Sequence, residues 1–440
     1  MIGDKLARFL LVRKIHQSFY TWDAEYMHRH QQQRLADLMR FVSRHSPYYR
    51  ALRESCWDGS FESLPQLSKS EMVANFDRIN TAQLHKDELF EFALKRERGD
   101  QTSLYRGKYT VGLSSGTSGI RLPTILNPAE RWQYGSLLFA RSGIPKQVHS
   151  PRVLFALRVN NPAFMEVRFL GVTIFHTDYT RPIEDIVKII NEKRLNVLAG
   201  PPSLLMLIAR QRQSIQHPVE ALISYAEVLD DHTKQQLQEA FNTPVAQIYQ
   251  GAEGFIASTC REGHMHINED VVYVEAFENG DTLADARRLV VTDLHRKTLP
   301  FLRYQLNDIV ELDSKPCTCG SAFRQVKRIH GRADDIFYLQ SAVGNEIRYL
   351  FPDYVTRSIN QASEEIIEFQ AIQHSMDSIE IRLQLNPNAE RKRIERIIQA
   401  NLEYLAQRVA GRLGKVEFSE ALPERNPQSL KLIRVVRRFA

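Results

Sequence analysis

The sequence predicts an α/β chain in two parts: a large, multi-layer N-terminal domain with parallel sheets, spanning 1–331, and a small α+β domain spanning 332–440. Three observations carry this. A chain of 440 residues is too long for one ordinary hydrophobic core. Between 150 and 250, short apolar runs alternate with helical patterns, the signature of layered α/β structure with largely parallel strands. After Gly331-Arg332 the texture changes to strand-like runs accompanying one long helical stretch, in a segment of the size of an independent unit.

Taken in order, residues 1–60 read as helical, with apolar spacing at Leu35, Leu38, Met39 and Val42. Ser46-Pro47 marks a boundary, and Ser68 is a candidate helix N-cap. Tyr109 to Leu113 reads as a strand and Ala129 to Ser142 as a helix. Strand-like runs follow at Val153–Leu157, Gly171–Phe175, Val197–Gly200, Ala221–Ser224 and Val245–Tyr249. Between them lie helical patterns at Ile183–Lys193, Leu204–Gln211 and Asp231–Phe241. Residues 271–313 are richer in strand signals. The second part shows strand-like runs at Ile336–Leu339, Ile366–Ala371 and Ile379–Leu385, with a helical pattern over 389–408.

Composition narrows the setting. Hydrophobic content of 43% and charged content of 25% are those of a soluble globular protein. A net charge of +6 is mild for this length and gives no argument for nucleic acid. No window holds the roughly 18 apolar residues that span a bilayer, so no membrane association is expected. The N-terminus has a short apolar centre broken by Arg8 and Arg13; it lacks a signal-peptide core and suits an amphipathic helix. Four cysteines make no disulfide scaffold, which points to a reducing, cytoplasmic setting.

Behind the strand at Tyr109–Leu113 come six small residues, Ser114, Ser115, Gly116, Thr117, Ser118 and Gly119. Glycines let a backbone turn and approach an anion closely, and clustered N–H groups and hydroxyls donate to phosphate oxygens. A Ser/Gly surface turn has the same composition. It is not a Walker loop, because no Gly-Lys-Ser/Thr follows. Four further stretches stand after it. Ser224-Tyr225-Ala226-Glu227 follows a strand and offers a backbone edge and a small residue to a flat base. Tyr249-Gln250-Gly251-Ala252-Glu253 ends in a carboxylate that suits Mg²⁺ held against phosphate oxygens. Asp308, closing Pro300 to Asp308, is a short acid able to accept both hydroxyls of a ribose. Gly331-Arg332-Ala333-Asp334-Asp335 supplies Arg332 for ribose or phosphate, and Asp334 is a hinge candidate at the domain boundary. Near the C-terminus, Lys431-Leu432-Ile433-Arg434-Val435 carries a lysine. Each stretch alone also fits a turn, a strand end or a basic tail.

In order and spacing the set resembles the adenylate-forming superfamily. It is most similar to the branch that holds phenylacetate–CoA ligases and the synthetases that adenylate a deazaflavin coenzyme. The likeness runs from about residue 30 to the C-terminus. It implies a small mobile lid that rotates between two half-reactions. In the first, a carboxylate and ATP give an acyl-adenylate and pyrophosphate; in the second, a thiol, usually CoA, takes the acyl group. Carried over by position, Ser114 to Gly119 would hold phosphates, while Ala226, Glu227 and Tyr249 would lie around the adenosine. Glu253 would bind Mg²⁺, Asp308 and Arg332 would serve the ribose, and Lys431 would meet the reacting carboxylate and α-phosphate. Three departures stand out. Ile120 and Arg121 replace the lysine that often follows the loop, Leu430 replaces a glycine, and the segment after Asp335 matches the CoA ligases poorly.

A separate Cys/His set comprises Cys260, Cys317, Cys319 and either His266 or His264. Three thiolates and one imidazole make a closed, structural zinc site, and a similar set occurs in this branch of the family. Cys56 has no such partner. The sequence therefore points to ATP-dependent activation of an aromatic or similarly apolar small-molecule carboxylate, with transfer to CoA foremost. Transfer to a carrier protein or an amine, or AMP transfer to a hydroxyl, stays open. So does a non-catalytic nucleotide-binding protein. A homodimer is an open option.

Overall fold

The computed structural model describes residues 2–97, 104–114, 121–157, 167–169, 171–178, 181–278, 286–425 and 432–439. The chain opens with helices α1 (Ile2–Thr21), α2 (Ala24–His45) and α3 (Pro47–Ser55). Leu35, Leu38, Met39 and Val42 form the buried stripe of α2, at the spacing that places them on one helix face. Ser46, with φ −103° and ψ 118°, breaks α2 from α3 because proline excludes the helical region for its predecessor. Next come α4 (Lys69–Ala74), α5 (Phe76–Ile79) and α6 (Lys86–Glu97). A capping box starts α4: Glu71 N donates to Ser68 Oγ, and Ser68 N donates to the Glu71 carboxylate. The hairpin β1 (Thr110–Leu113) and β2 (Pro123–Leu126) precedes α7 (Pro128–Ala140).

The alternating region forms β3 (Arg152–Leu157), β4 (Val167–Phe169), β5 (Val172–Asp178), α8 (Ile183–Lys193), β6 (Val197–Gly200), α9 (Pro202–Arg210), β7 (Ala221–Ser224), α10 (Asp231–Phe241) and β8 (Val245–Gly251). Every residue of β6 and β7 is buried, as expected for strands covered on both faces. Antiparallel strands follow: β9 (Gly254–Thr259), β10 (Met265–Ile267), β11 (Val272–Glu278), β12 (Ala286–Asp293), β13 (Tyr304–Asp313) and β14 (Gln325–Arg332). All twelve strands from β3 to β14 join one sheet, in the order β11-β12-β13-β14-β10-β9-β8-β7-β6-β3-β5-β4. Only the stretch from β8 to β5 is parallel. From β9 onward the connections are too short for the crossover a parallel pair needs: two residues, Ala252 and Glu253, join β8 to β9. The sheet is thus mixed, where the sequence suggested largely parallel pairing.

A short 3₁₀ turn, Ala333–Asp335, leads into the second part. Its elements are β15 (Phe337–Ser341), β16 (Ile347–Leu350), α11 (Pro352–Asn360), β17 (Ile366–Ser375), β18 (Ser378–Leu385), α12 (Arg391–Arg408), β19 (Gly411–Arg412), β20 (Lys415–Ser419) and β21 (Val435–Arg437). They form two small sheets, β16-β15-β19 and β20-β18-β17-β21. Phe337, Val355, Phe369, Ile381, Ile398 and Val435 belong to a core of this part's own. No described helix is long and apolar enough to cross a membrane.

The first helix is tied to distant sequence. Arg141 at the end of α7 bridges Asp270 at 2.6 Å, with the two side chains 3% and 7% exposed. Ser18 Oγ donates to the same carboxylate at 2.7 Å, and Arg141 Nη2 donates to Ile15 O at 3.2 Å.

Candidate active site

A cleft of about 1530 Å³ opens where the C-terminal edges of the parallel strands meet the small domain. Crevices at such strand ends are where open α/β sheets bind ligands. Ser114, Tyr249, Glu253, Asp308 and Arg332 line one wall, and Ile433 and Arg434 line the other. Asp308 and Arg332 are register partners on β13 and β14, and Arg332 Nε lies 3.8 Å from Asp308 Oδ1. Tyr249 Oη, near the end of β8, donates to Asp308 Oδ2 at 2.7 Å. Asn307 donates to Asp334 in the turn into the small domain. Sequence-distant residues from β8, β13 and β14 thus meet because the antiparallel half of the sheet folds back beside the parallel half.

Glu253 sits in the two-residue β8–β9 turn and is half-buried. A Cβ on Gly251 would lie 2.3 Å from Glu253 Oε1, so glycine is what lets the carboxylate fold back over the turn. Burial first, and the Asp308 charge second, push the Glu253 carboxyl above its usual range, against Arg332 and Arg296. Such a carboxylate gains from a divalent cation, which restores its charged form. Burial and Asp308 also push the Tyr249 phenol well up, so it stays a donor. Asp335 is pushed up to about 6, chiefly by burial.

Ala226 is exposed at the cleft with φ +68°, a left-handed conformation that non-glycine residues adopt at a cost and that gathers at functional sites. Glu227 beside it is already engaged. Ser203 N and Oγ, in the first turn of α9, donate to its carboxylate at 3.2 and 3.0 Å, and Arg434 Nη1 lies 3.5 Å away. Ser114 closes the base of the Ser/Gly loop: Leu122 N donates to Ser114 Oγ, and Ser114 N donates to Leu122 O, both at 2.8 Å. Ser115, Gly116, Thr117, Ser118, Gly119 and Lys431 lie outside the described residues. Arg121 lines the cleft, and its Nε donates to Ser114 O at 3.4 Å.

Sequence reading missed Lys69. It is half-buried at the start of α4, and burial, then Arg332, push its ammonium down while Glu253 and Asp334 oppose this. Its one sequence signal is the cap at Ser68, which fixes where α4 begins but not what it faces. Ser203 was missed likewise; its signal is Pro201-Pro202 opening a helix directly after a buried strand.

Away from the cleft, the ligand atoms of Cys260, His266, Cys317 and Cys319 all lie within 4.8 Å of one another. The cysteines are free thiols. Cys260 and Cys317 sulfurs stand 4.0 Å apart, and Cys319 Sγ stands 3.6 Å from His266 Nε2. Tetrahedral Zn²⁺ with bonds of ~2.3 Å to sulfur and ~2.0 Å to nitrogen would need about 3.8 and 3.5 Å, so the donor set fits. His266 Nδ1 donates to Phe323 O at 2.7 Å, which turns Nε2 toward the sulfurs. His266 is fully buried and Phe19 of α1 packs edge-on against it. His264, the alternative, is exposed, with Nδ1 3.2 Å from Cys317 Sγ. Burial pushes Cys319 up to about 12, a cost that a cation would reverse by favouring the thiolate.

No family model matches the chain. Among characterised proteins it is similar to Protein CapK of Staphylococcus aureus, 23% identical over 392 residues that cover 85% of this chain and 82% of that one. It is also similar to the phenylacetate-coenzyme A ligase of Thermus thermophilus, 24% identical over 217 residues, 46% of this chain and 47% of that one. Among solved structures it matches 2-hydroxyisobutyryl-CoA ligase in the postadenylation state, in complex with 2-HIB-AMP. That match has a TM-score of 0.71 and 15% identity, covering 96% of this chain and 91% of that one. The same ligase in the thioesterification state gives 0.56 at the same coverage. By sequence and by shape the chain resembles the adenylate-forming ligases, has their two-part fold, and is similar in sequence to their phenylacetate–CoA ligase branch.

Proposed function

We propose that the chain is an ATP-dependent acid–thiol ligase. In the first step a carboxylate oxygen attacks the α-phosphorus of ATP and pyrophosphate leaves, giving an acyl-adenylate. In the second a thiol, CoA foremost, attacks the acyl carbon and AMP leaves. The observation that carries this reading is the meeting of Glu253, the Tyr249–Asp308–Arg332 set and the Ser114 end of the loop in one cleft, opposite Arg434. Asp308, held from one side by Tyr249 and flanked by Arg332, accepts from a ribose diol. Ala226, exposed at the cleft, lies beside the base. Glu253 is the residue that would hold Mg²⁺, which would offset the charge of the phosphate oxygens. Lys69, with its depressed ammonium, adds positive charge on the Glu253 side. Lys431 is assigned to the carboxylate and α-phosphate, where a cation offsets developing charge.

The two CoA-ligase relatives support CoA as the acceptor, and an apolar acid remains the substrate class. Cys260, His266, Cys317 and Cys319 are assigned to a structural zinc, for which the two distances above fit; three reduced thiols accord with a cytoplasmic setting. The deciding experiment is carboxylate-dependent ATP–pyrophosphate exchange over a panel of acids, followed by CoA, carrier protein and amines as acceptors for any acid that responds. Exchange with no acid in the panel would overturn the ligase reading, and exchange without thioester formation would overturn the acceptor.

A further inference from the structure

We propose that Arg434 is a positioning residue that fastens the small domain over the cleft through its ion pair with Glu227. Two sets of contacts define it. On its own domain the Arg434 segment is fixed by backbone: Ala371 N donates to Arg434 O at 2.7 Å, and Gln370 Nε2 donates to Ile433 O at 3.1 Å. Across the cleft, Glu227 is held by Ser203, as described above. The Arg434 guanidinium, on a fixed stretch of backbone, and the Ser203-held carboxylate of Glu227 therefore meet at 3.5 Å, with side chains 23% and 13% exposed.

Among the described residues other pairs also cross between the two parts: Arg328 Nε of β14 stands 3.8 Å from Asp353 of α11, whose side chain is 2% exposed. Arg357 reaches Asp231 at 2.9 Å, but Asp231 is 78% exposed. Asn360 Nδ2 stands 3.5 Å from Asp230, and Arg210 Nη2 donates to Ile366 O at 2.7 Å. Solvated pairs of the Arg357–Asp231 type contribute little, and an apolar cluster of Ala286 and Ile309 with Ile336 and Phe351 joins the two parts beside the turn that links them. Glu227–Arg434 is shielded on both sides and ties the C-terminal strand segment to the cleft wall, so it holds that side of the small domain in this arrangement. When the small domain turns away, Glu227 keeps Ser203 and Arg434 is exchanged for water, which frees that side of the interface to part.

The kinetic arm of the test rests on the ligase reading; the structural arm does not. Arg434→Met keeps the aliphatic stem and removes the charge. Exchange of ATP with pyrophosphate should fall about twofold to fivefold, while thioester formation from preformed acyl-adenylate should hold or rise. Arg434→Lys should recover part of the loss. Without any substrate, backbone amide exchange in Arg434→Met should rise at residues 432–437 and, in step, at the distant contacts around 230–233 and 357–361. Faster exchange confined to 432–437, or equal losses in both half-reactions, would overturn the proposal. Should the wild type activate no acid, the ligase reading falls and the amide comparison still decides the clamp.

Discussion

Replacing Tyr249 by Phe removes one hydrogen bond and little else. Its Oη lies 2.7 Å from Asp308 Oδ2, and a bond to a charged acceptor contributes about 1.5–3 kcal/mol. Asp308 is 22% exposed, so water recovers part of this, and a net loss of about 1–1.5 kcal/mol is the reasonable figure. If Asp308 binds the ribose, that loss appears as a rise of about 5–13-fold in KM for ATP. The bond serves the bound ground state and the transition state alike, so kcat should stay near its original value. Because burial and Asp308 push the phenol well up, Tyr249 donates throughout the range from about pH 6 to 9, and the defect should not vary with pH there. The assay is initial-rate pyrophosphate exchange against ATP at three pH values, with Asp308→Asn alongside. An unchanged KM in folded Tyr249→Phe, beside a raised one in Asp308→Asn, would refute the role given to Tyr249.

Glu253 must be ionised to bind Mg²⁺, and its folded pKa is raised. Activity should therefore be present above that raised pKa and fall as pH drops through it. Higher Mg²⁺ should move the fall to lower pH, and Glu253→Gln should lose about 10²–10³ in exchange rate at all pH values; a fall insensitive to Mg²⁺ would remove the metal assignment. Purified protein should carry about one zinc per chain, and Cys319→Ser should lose it and lower the melting temperature, as metal analysis and calorimetry will show. Arg141→Met leaves Asp270 buried without its partner and should destabilise the large domain by about 3–5 kcal/mol in denaturant titration, with the double change Arg141→Met/Asp270→Asn recovering part.

The parallel half of the sheet was legible because each strand and helix there carries its own periodicity: Ile183–Lys193 and Asp231–Phe241 form helices over the predicted residues. Of the antiparallel half, the strand-rich stretch 271–313 became β11, β12 and β13; β9 and β10 were not legible, since they are short, buried on both faces and divided by a tight turn at Gly263. Glu253 and Asp308, singled out by local motifs, both line the cleft. The bond of Asp308 to Tyr249 and its register with Arg332 were not legible, because pairing across a sheet is set by connections that no local pattern records. Glu227 shows the limit most plainly. The motif placed it beside a base, and the structure gives its carboxylate to Ser203 and Arg434. The choice of His266 over His264 likewise depended on burial and on Phe323 O.

The anchoring of α1 has a consequence for how the chain is made. Ser18 and its acceptor Asp270 are separated by 252 residues. At ribosomal rates of about 5–20 residues per second, Ser18 waits roughly 13–50 s for Asp270 to be synthesised. Through that interval Phe19, which ends buried at 3% exposure against His266 and Phe323, can meet Arg141 of the α7 end but not those two rings. Late contacts of this span slow folding and leave apolar surface open to capture. The seating of α1 is completed late in the folding of the large domain. Newly made chains should therefore depend on a holding chaperone until the strands carrying Asp270 and the Cys/His cluster emerge.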